Sequence, residues 1–512
     1  MAFLELLILL LCPVVLCHWR WSCRRRHRSS PPTNWPLVGM VPGLVRNAHL
    51  VHDFVTEILK ESGGTFEFKG PWFANMDMLV TADPANIHHI LSKNSSNYNK
   101  GHDFKQIFDI LGDGIFNAEA KVWEAQRKVT MSLMNHSKFK TLLERATWQK
   151  VEKGLIPVFD HFSKLGDLVD LQELFERFTF DCVSIFVLGH DPGCLSVALP
   201  HLPCEKAFAD AEEALLHRHV LPLSCWKLLK WLQIGKEKKL SMAWESLDEF
   251  LYQCISKHEE EEAASKSKAE KVEDEGFVLL TEYLKAYKEN FTIPSDTKKF
   301  LRDTSLSLMA AGRDTVSAAL CWFFWLIVVN PSAEIKILEE IKANVHVKDD
   351  EKWWFFSVEE SRKLVYLHAA LCESLRLFPP IALQHKSPVQ PDILPSGHRV
   401  HPKTKTLISF YSVGRLETIW GKDCLEFKPE RWITEQGRIR NEPSYKFPVF
   451  NTGPRTCLGK DMTFVQMKIV AATIICNYQI QLAEGHPVTP KDSIVLHMKH
   501  GFKVRINKRT SV

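Results

Sequence analysis

Phe450-Asn451-Thr452-Gly453-Pro454-Arg455-Thr456-Cys457-Leu458-Gly459 is the stretch that decides how this chain is read. It holds one cysteine without a CxxC partner, glycines at 453 and 459, and an arginine two positions before the sulfur. Glycine permits backbone turns that a Cβ forbids, so the sulfur can leave the loop with backbone N–H groups gathered around it. Such hydrogen bonds, together with a metal, hold a cysteine as thiolate. A lone axial thiolate suits haem iron and pushes electron density onto it, favouring O–O cleavage. The competing reading is a buried, inert thiol, the usual state of a lone intracellular cysteine.

Around this loop lies an ordinary globular chain. Its 512 residues are 45% hydrophobic and 25% charged, with a net charge of +4. That length supports a core deep enough to hide a cofactor. No basic stripe with interleaved aromatics appears, so nothing points to nucleic acid. Thirteen cysteines, an odd number without closely spaced pairs, argue against a disulfide framework and a zinc site.

The first residues bear on the membrane question. Ala2 to Cys17 is apolar apart from Glu5, and Trp19, Trp21 and a run of arginines from Arg20 to Arg28 follow. Apolar segment, aromatic edge and cationic flank are the order of an anchor whose basic end stays cytosolic. A cleavable signal peptide would carry its positive charge before the apolar region. The expected organisation is a membrane anchor at 1–21, a basic and proline-rich hinge at 22–36, and one catalytic domain at 37–512.

Helical signals dominate the body. Gly64 to Ala82 reads as two short strands separated at Gly70-Pro71, and Asp83-Pro84 starts a helix. Lys257 to Gly276 reads as a solvated helix end or exposed loop. Val316 to Val329 is an apolar run too short for a membrane span and reads as a helix crossing the core. Ile381 to Arg399 and Pro487 to Ile506 alternate in polarity and predict small sheets.

Two further constellations carry chemistry. Ala311-Gly312-Arg313-Asp314-Thr315 precedes the apolar run. Gly in a helix costs roughly 1 kcal/mol against Ala, and Thr can bond back to the i−4 carbonyl. A buried helix that tolerates both needs a groove and a polar pair; a helix cap at Asp314 is the alternative. Glu373 and Arg376 lie three apart before Pro379-Pro380, on one helix face where they can pair.

Taken together, these motifs resemble the cytochrome P450 family over nearly the whole chain. The resemblance implies a mainly α fold with small β-sheets behind an N-terminal membrane anchor helix. It implies haem b with Cys457 as the metal ligand, within a loop that includes Gly459, and Phe450 packed beside the thiolate. Arg455 would meet a haem propionate, as would the Trp123/Arg127 pair of a W-x-x-x-R motif, with His385 or Lys386 as a third donor. Thr315, with Asp314 and water, would relay the protons that O–O cleavage consumes. Glu373, Arg376 and Arg431, the last in Pro429-Glu430-Arg431-Trp432, would form a buried structural network. Electrons would come from NADPH through NADPH–cytochrome P450 reductase, at the endoplasmic reticulum membrane.

Within the family, the resemblance is to the plant group that hydroxylates alkanes and fatty acids in mid-chain. Its carriers are Asn34-Trp35-Pro36, Gly63-Gly64-Thr65-Phe66, Asp83-Pro84-Ala85-Asn86, Gly112 to Asn117 and the cysteine loop. One branch of that group, from amaryllid plants, joins two phenol rings. The expected reaction is therefore para-para′ C–C coupling of 4′-O-methylnorbelladine in alkaloid biosynthesis. The alternatives are mid-chain hydroxylation for cuticular wax and an isomerase that uses no O₂. The expected pocket walls are Phe104, Phe108, Phe116, Ala310, Ala311, Ile381–Leu383 and Val495–Met498. Lys100, His102 and His497 are the polar residues that would favour an aromatic amine.

Overall fold

The computed structural model describes residues 32–509 except 73, 75, 268–276, 292–295, 345–355, 403 and 492. The expected anchor and the hinge up to residue 31 lie outside these, as does the end of the acidic segment at 268–276. The hinge's last residues already join the body, since Trp35 and Gly39 exchange backbone hydrogen bonds at 3.0 and 2.9 Å.

Six helices position the site: α1 (Ala120–Asn135), α2 (Leu171–Leu188), α3 (Pro203–Val220), α4 (Thr297–Val329), α5 (Val365–Leu377) and α6 (Lys460–Asn477). The axis is α4. Asp296 caps it by accepting a hydrogen bond from Lys299 N–H at 2.9 Å. Among the described residues, α4 alone is long and apolar enough to cross a membrane, yet 72% of its apolar window is buried inside the protein. It is a core helix, as the run at 316–329 predicts. It starts much earlier, at Thr297, because its polar first half finds buried partners. Arg302, for example, donates to Asp248 at 2.6 Å and to Asp303 at 3.0 Å. Gly312 to Thr315 therefore fall mid-helix, which removes the cap alternative at Asp314.

α4 lies along α2, and Gly312 marks the closest approach. A Cβ there would sit 2.9 Å from Val183 Cγ2, so this glycine serves helix contact at least as much as any groove.

The strands form small sheets. The largest has the spatial order Thr65–Phe68, Met78–Thr81, Lys405–Ser409, Leu383–Pro388, Tyr98–Asn99. Thr65 lies opposite Thr81 in its first pair, as the polarity at 64–82 predicts. A second sheet joins Leu168–Asp170, Lys503–Lys508 and Tyr478–Leu482, and a third pairs Asp392–Ile393 with Arg399–Val400. Asp83 caps the helix at Pro84–His88 by accepting from Ala85 N–H at 2.7 Å. The prolines at 379 and 380 stop α5 at Phe378, whose ring stacks on Trp322 with centroids 4.0 Å apart. The strand Leu383–Pro388 follows immediately, so α5 and that strand are held over α4 as one unit.

Candidate active site

The cysteine loop is built as its composition requires. Cys457 N–H donates to Phe450 O at 2.8 Å. Gly453 has φ +69°, and a Cβ there would collide with the Leu91 carbonyl. Cys457 keeps exposed surface. Burial raises the Cys457 thiol pKa, while the Gly459 and Lys460 backbone N–H groups and the Arg127 charge oppose that rise. Those N–H groups belong to the start of α6, where the helix dipole also favours an anion. Phe450 packs on Phe464 at 5.4 Å and shields one side of the loop.

Beside the loop stands an uncompensated group of cations. Arg455 stacks on Trp123 at 4.4 Å, and Arg127 lies 5.6 Å from the same ring. Arg455 also donates to Glu119 at 2.6 Å. Lys100 is buried, and burial followed by Arg455 and Lys386 drives its pKa well down. Lys386 falls to about 8, through burial and then Arg455. Among the described residues, Glu119 is the carboxylate that opposes these shifts. Four cations around one carboxylate leave room for two more negative charges, and the two propionates of a haem supply them. The thiolate loop and these cations thus fit the group.

The roof fits too. Along the buried middle of α4, Leu308, Ala310, Ala311, Gly312 and Thr315 keep accessible surface. Leu308, Ala311, Gly312 and Thr315 fall at i, i+3, i+4, i+7 and so share one helix face. Thr315 Oγ1 donates to Ala311 O at 2.6 Å, the back-bond expected of a mid-helix threonine. Asp314 turns the other way, and Arg313 Nη1 donates to its Oδ1.

The expected brace is complete in geometry. Arg376 donates from Nε and Nη2 to the two Glu373 oxygens, both at 2.7 Å, with both side chains fully buried. Glu373 also accepts from Arg431 Nε at 3.3 Å and from Trp432 Nε1 at 2.8 Å. The remaining Arg376 donors go to the Gly414, Cys424 and Glu426 carbonyls.

Four expectations change. His385 and Lys386 alternate on one strand, so they face opposite sides. Lys386 shares the surroundings of Arg455 and Glu119, whereas His385 packs on Phe104 at 6.1 Å and His219 at 6.4 Å. Lys386 therefore takes the place beside Arg455. His497 is no pocket wall; it faces Glu212 and Glu176 behind Asp314. His102 is exposed and meets Gln106. Lys100, expected as a polar pocket residue, joins the cations beside Arg455 instead, and His219 was missed as a site residue. The signal for a role of Lys100 was a cation set just before a glycine turn; His219 had none in the local pattern.

One consequence is direct. Arg455→Gln combined with Lys386→Gln is expected to weaken haem retention about tenfold or more, through lost charge-assisted bonds. The rate of haem transfer to apomyoglobin measures it; an unchanged rate removes these residues from the propionate side.

Comparisons with known proteins agree with this geometry. The family model described as Cytochrome P450 matches residues 29–505. Alkane hydroxylase MAH1 of Arabidopsis thaliana is 43% identical over 477 residues, covering 93% of each chain. Noroxomaritidine synthase 1 of Narcissus pseudonarcissus is 40% identical over 510 residues, covering 99% of this chain and 96% of its own. Cytochrome P450 86B1 of Arabidopsis thaliana is 40% identical over 485 residues, 93% of this chain and 85% of its own. A family match across most of the chain and relatives this similar support a monooxygenase. The chain belongs to the cytochrome P450 family, as a monooxygenase of the plant subfamily of these relatives, with haem on a cysteine thiolate and a reductase as electron source.

Proposed function

We propose that the enzyme joins two phenol rings of one substrate, with 4′-O-methylnorbelladine as the best candidate. In this reaction the substrate loses two hydrogens, and O₂ with two NADPH-derived electrons and two protons leaves as two waters. The haem on its thiolate supplies the oxygen activation. The protein's own residues bind, orient and deliver protons. Cys457 is the proposed ligand. Arg455, Lys386 and Lys100, with the Trp123/Arg127 pair, hold the propionates. Thr315, with Asp314 and water, relays protons, and the Glu373–Arg376–Arg431 network braces the haem side. Residues 1–21 are proposed as the endoplasmic reticulum anchor and 22–36 as the hinge, leaving 37–512 as a cytosolic catalytic domain.

One observation carries the phenol reading. His219 and His385 face each other among Phe104 and Phe108, with His219 5.4 Å from Phe108 and Phe104 4.4 Å from Phe108. Burial keeps both imidazoles neutral, His385 near pKa 3. His219 Nδ1 lies 3.0 Å from the Leu215 carbonyl, which only accepts. Nδ1 therefore carries the proton, and Nε2 is a free acceptor. His385 Nδ1 is buried without a hydrogen-bond partner. Buried polar atoms of this kind cost about 1–3 kcal/mol unless bonded. A phenol brings a donor and an aromatic face to such a wall; an alkane brings neither.

Mid-chain hydroxylation is the second reading, favoured by the 43% identity to an alkane hydroxylase. Incubating the haem-loaded enzyme with reductase, NADPH and either 4′-O-methylnorbelladine or a long alkane decides between them. Loss of two hydrogens from the amine supports coupling; oxygen added to the alkane alone overturns it. His219→Phe with His385→Phe is expected to raise KM for the phenol about tenfold, one lost bond's worth, and to leave or improve alkane binding.

A further inference from the structure

Phe104 and Phe108 belong to a segment that its own backbone cannot hold in place. The helix His102–Ile107 has six residues, and a three-residue 3₁₀ turn, Asp109–Leu111, follows it. Elements this short leave carbonyls without donors from a following turn. Side chains from elsewhere supply those donors. The carbonyls of Ile107, Phe108 and Ile110 accept from Arg218 at 2.9 Å, Asn117 at 2.7 Å and Arg302 at 2.5 Å. Arg218 also meets Asp109 at 2.7 Å, and Asp113 N–H donates to Asp303 at 3.0 Å.

The two arginines come from different helices, Arg218 from α3 and Arg302 from α4, and both are buried. A third helix, Gly235–Ser267, carries a carboxylate for each. Glu237, itself buried, accepts from Arg218 through both oxygens, at 2.8 and 2.7 Å. Asp248 accepts from Arg302 at 2.6 Å. Positions 237 and 248 are eleven residues apart, about three helical turns, and so share one face. A guanidinium is a rigid fork, able to hold a carboxylate and a carbonyl at once. Beside Arg218 on α3, His219 sets its ring against Phe108 at 5.4 Å. Consecutive residues of α3 therefore hold the backbone and the ring of the same wall.

We propose that Arg218 and Arg302 are positioning residues for the substrate. Each ties the backbone of 107–110 to the Glu237–Asp248 face, and together they keep Phe104, Phe108 and His219 in the arrangement that selects the substrate. Neither arginine touches the reacting atoms. The inference rests on the pocket of the proposed function and goes beyond it by naming what fixes the geometry of its wall.

The test uses the full-length, haem-loaded protein and the variants Arg218→Lys and Arg302→Lys. Lysine keeps the charge opposite Glu237 or Asp248, so the fold and the haem content should survive. A single ammonium cannot also reproduce the fork that reaches the Ile107 or Ile110 carbonyl. Hydrogen exchange of the amides at 104–113 is expected to quicken about tenfold in each variant, a local opening that leaves the rest of α3 and α4 unchanged. KM for 4′-O-methylnorbelladine should rise about fivefold, with kcat within twofold. Unchanged exchange at 104–113 in both variants overturns the proposal. So does faster exchange with KM unmoved, because the wall would then be loose without consequence. Faster exchange across the whole chain with loss of haem also overturns it, since the arginines would then serve the fold alone. If the native enzyme oxidises only the alkane, the phenol reading falls, and a fivefold rise in the alkane KM still supports the positioning role.

Discussion

Glu373→Gln is expected to destroy the haem-binding state, with a stability loss of about 3–5 kcal/mol. The Glu373 carboxylate accepts from Arg376 twice, from Arg431, from Trp432 and from Lys428 N–H at 3.1 Å. A glutamine replaces an acceptor-only group with one that also donates, and leaves the fully buried Arg376 guanidinium uncompensated. The turn and loop segments that Arg376 ties together through the Gly414, Cys424 and Glu426 carbonyls then lose their anchor. Urea unfolding and the yield of pigmented protein measure this. Replacing Glu373 and Arg376 together by methionine should be less damaging than either single change, since it leaves no unpaired Arg376 cation and Arg431 still pairs with Asp423. A double variant worse than both singles would contradict the charge argument.

Thr315→Ala is the second large effect. NADPH oxidation should continue while product per NADPH falls by roughly tenfold or more, the usual scale for losing a positioned proton donor. The fold should survive. Thr315 is only partly buried, and its Oγ1 bond to the Ala311 carbonyl stays within one helix turn. Thr315→Ser should restore most of the coupling, because it keeps the hydroxyl. Measuring peroxide beside product separates lost proton delivery from lost substrate binding, which would lower both together.

Much of this site was legible in the chain because short-range rules governed it. Gly453 and Gly459 announced the cysteine loop, and Pro379-Pro380 announced the end of α5 behind Glu373 and Arg376. The parts that were misread depend on which side of an element faces inward. His385 and Lys386 are neighbours in sequence and opposites on a strand, so the composition allowed either. His497 lies in a loop whose direction is set by contacts with α2 and α3, far away in the chain. Glu205 and Glu212 sit on α3, and nothing local signals that α4 will bring Arg313 and Asp314 against them. The start of α4 was missed because polar residues such as Arg302 and Asp303 mark a surface unless their distant partners are known.

The most direct measurement is the carbon monoxide difference spectrum of the reduced protein, compared with that of Cys457→Ser. Thiolate ligation is expected to give the long-wavelength Soret band in the native protein, and serine at 457 to abolish that band and turnover together. If the serine variant keeps the same band and still turns over substrate, Cys457 is not the iron's ligand.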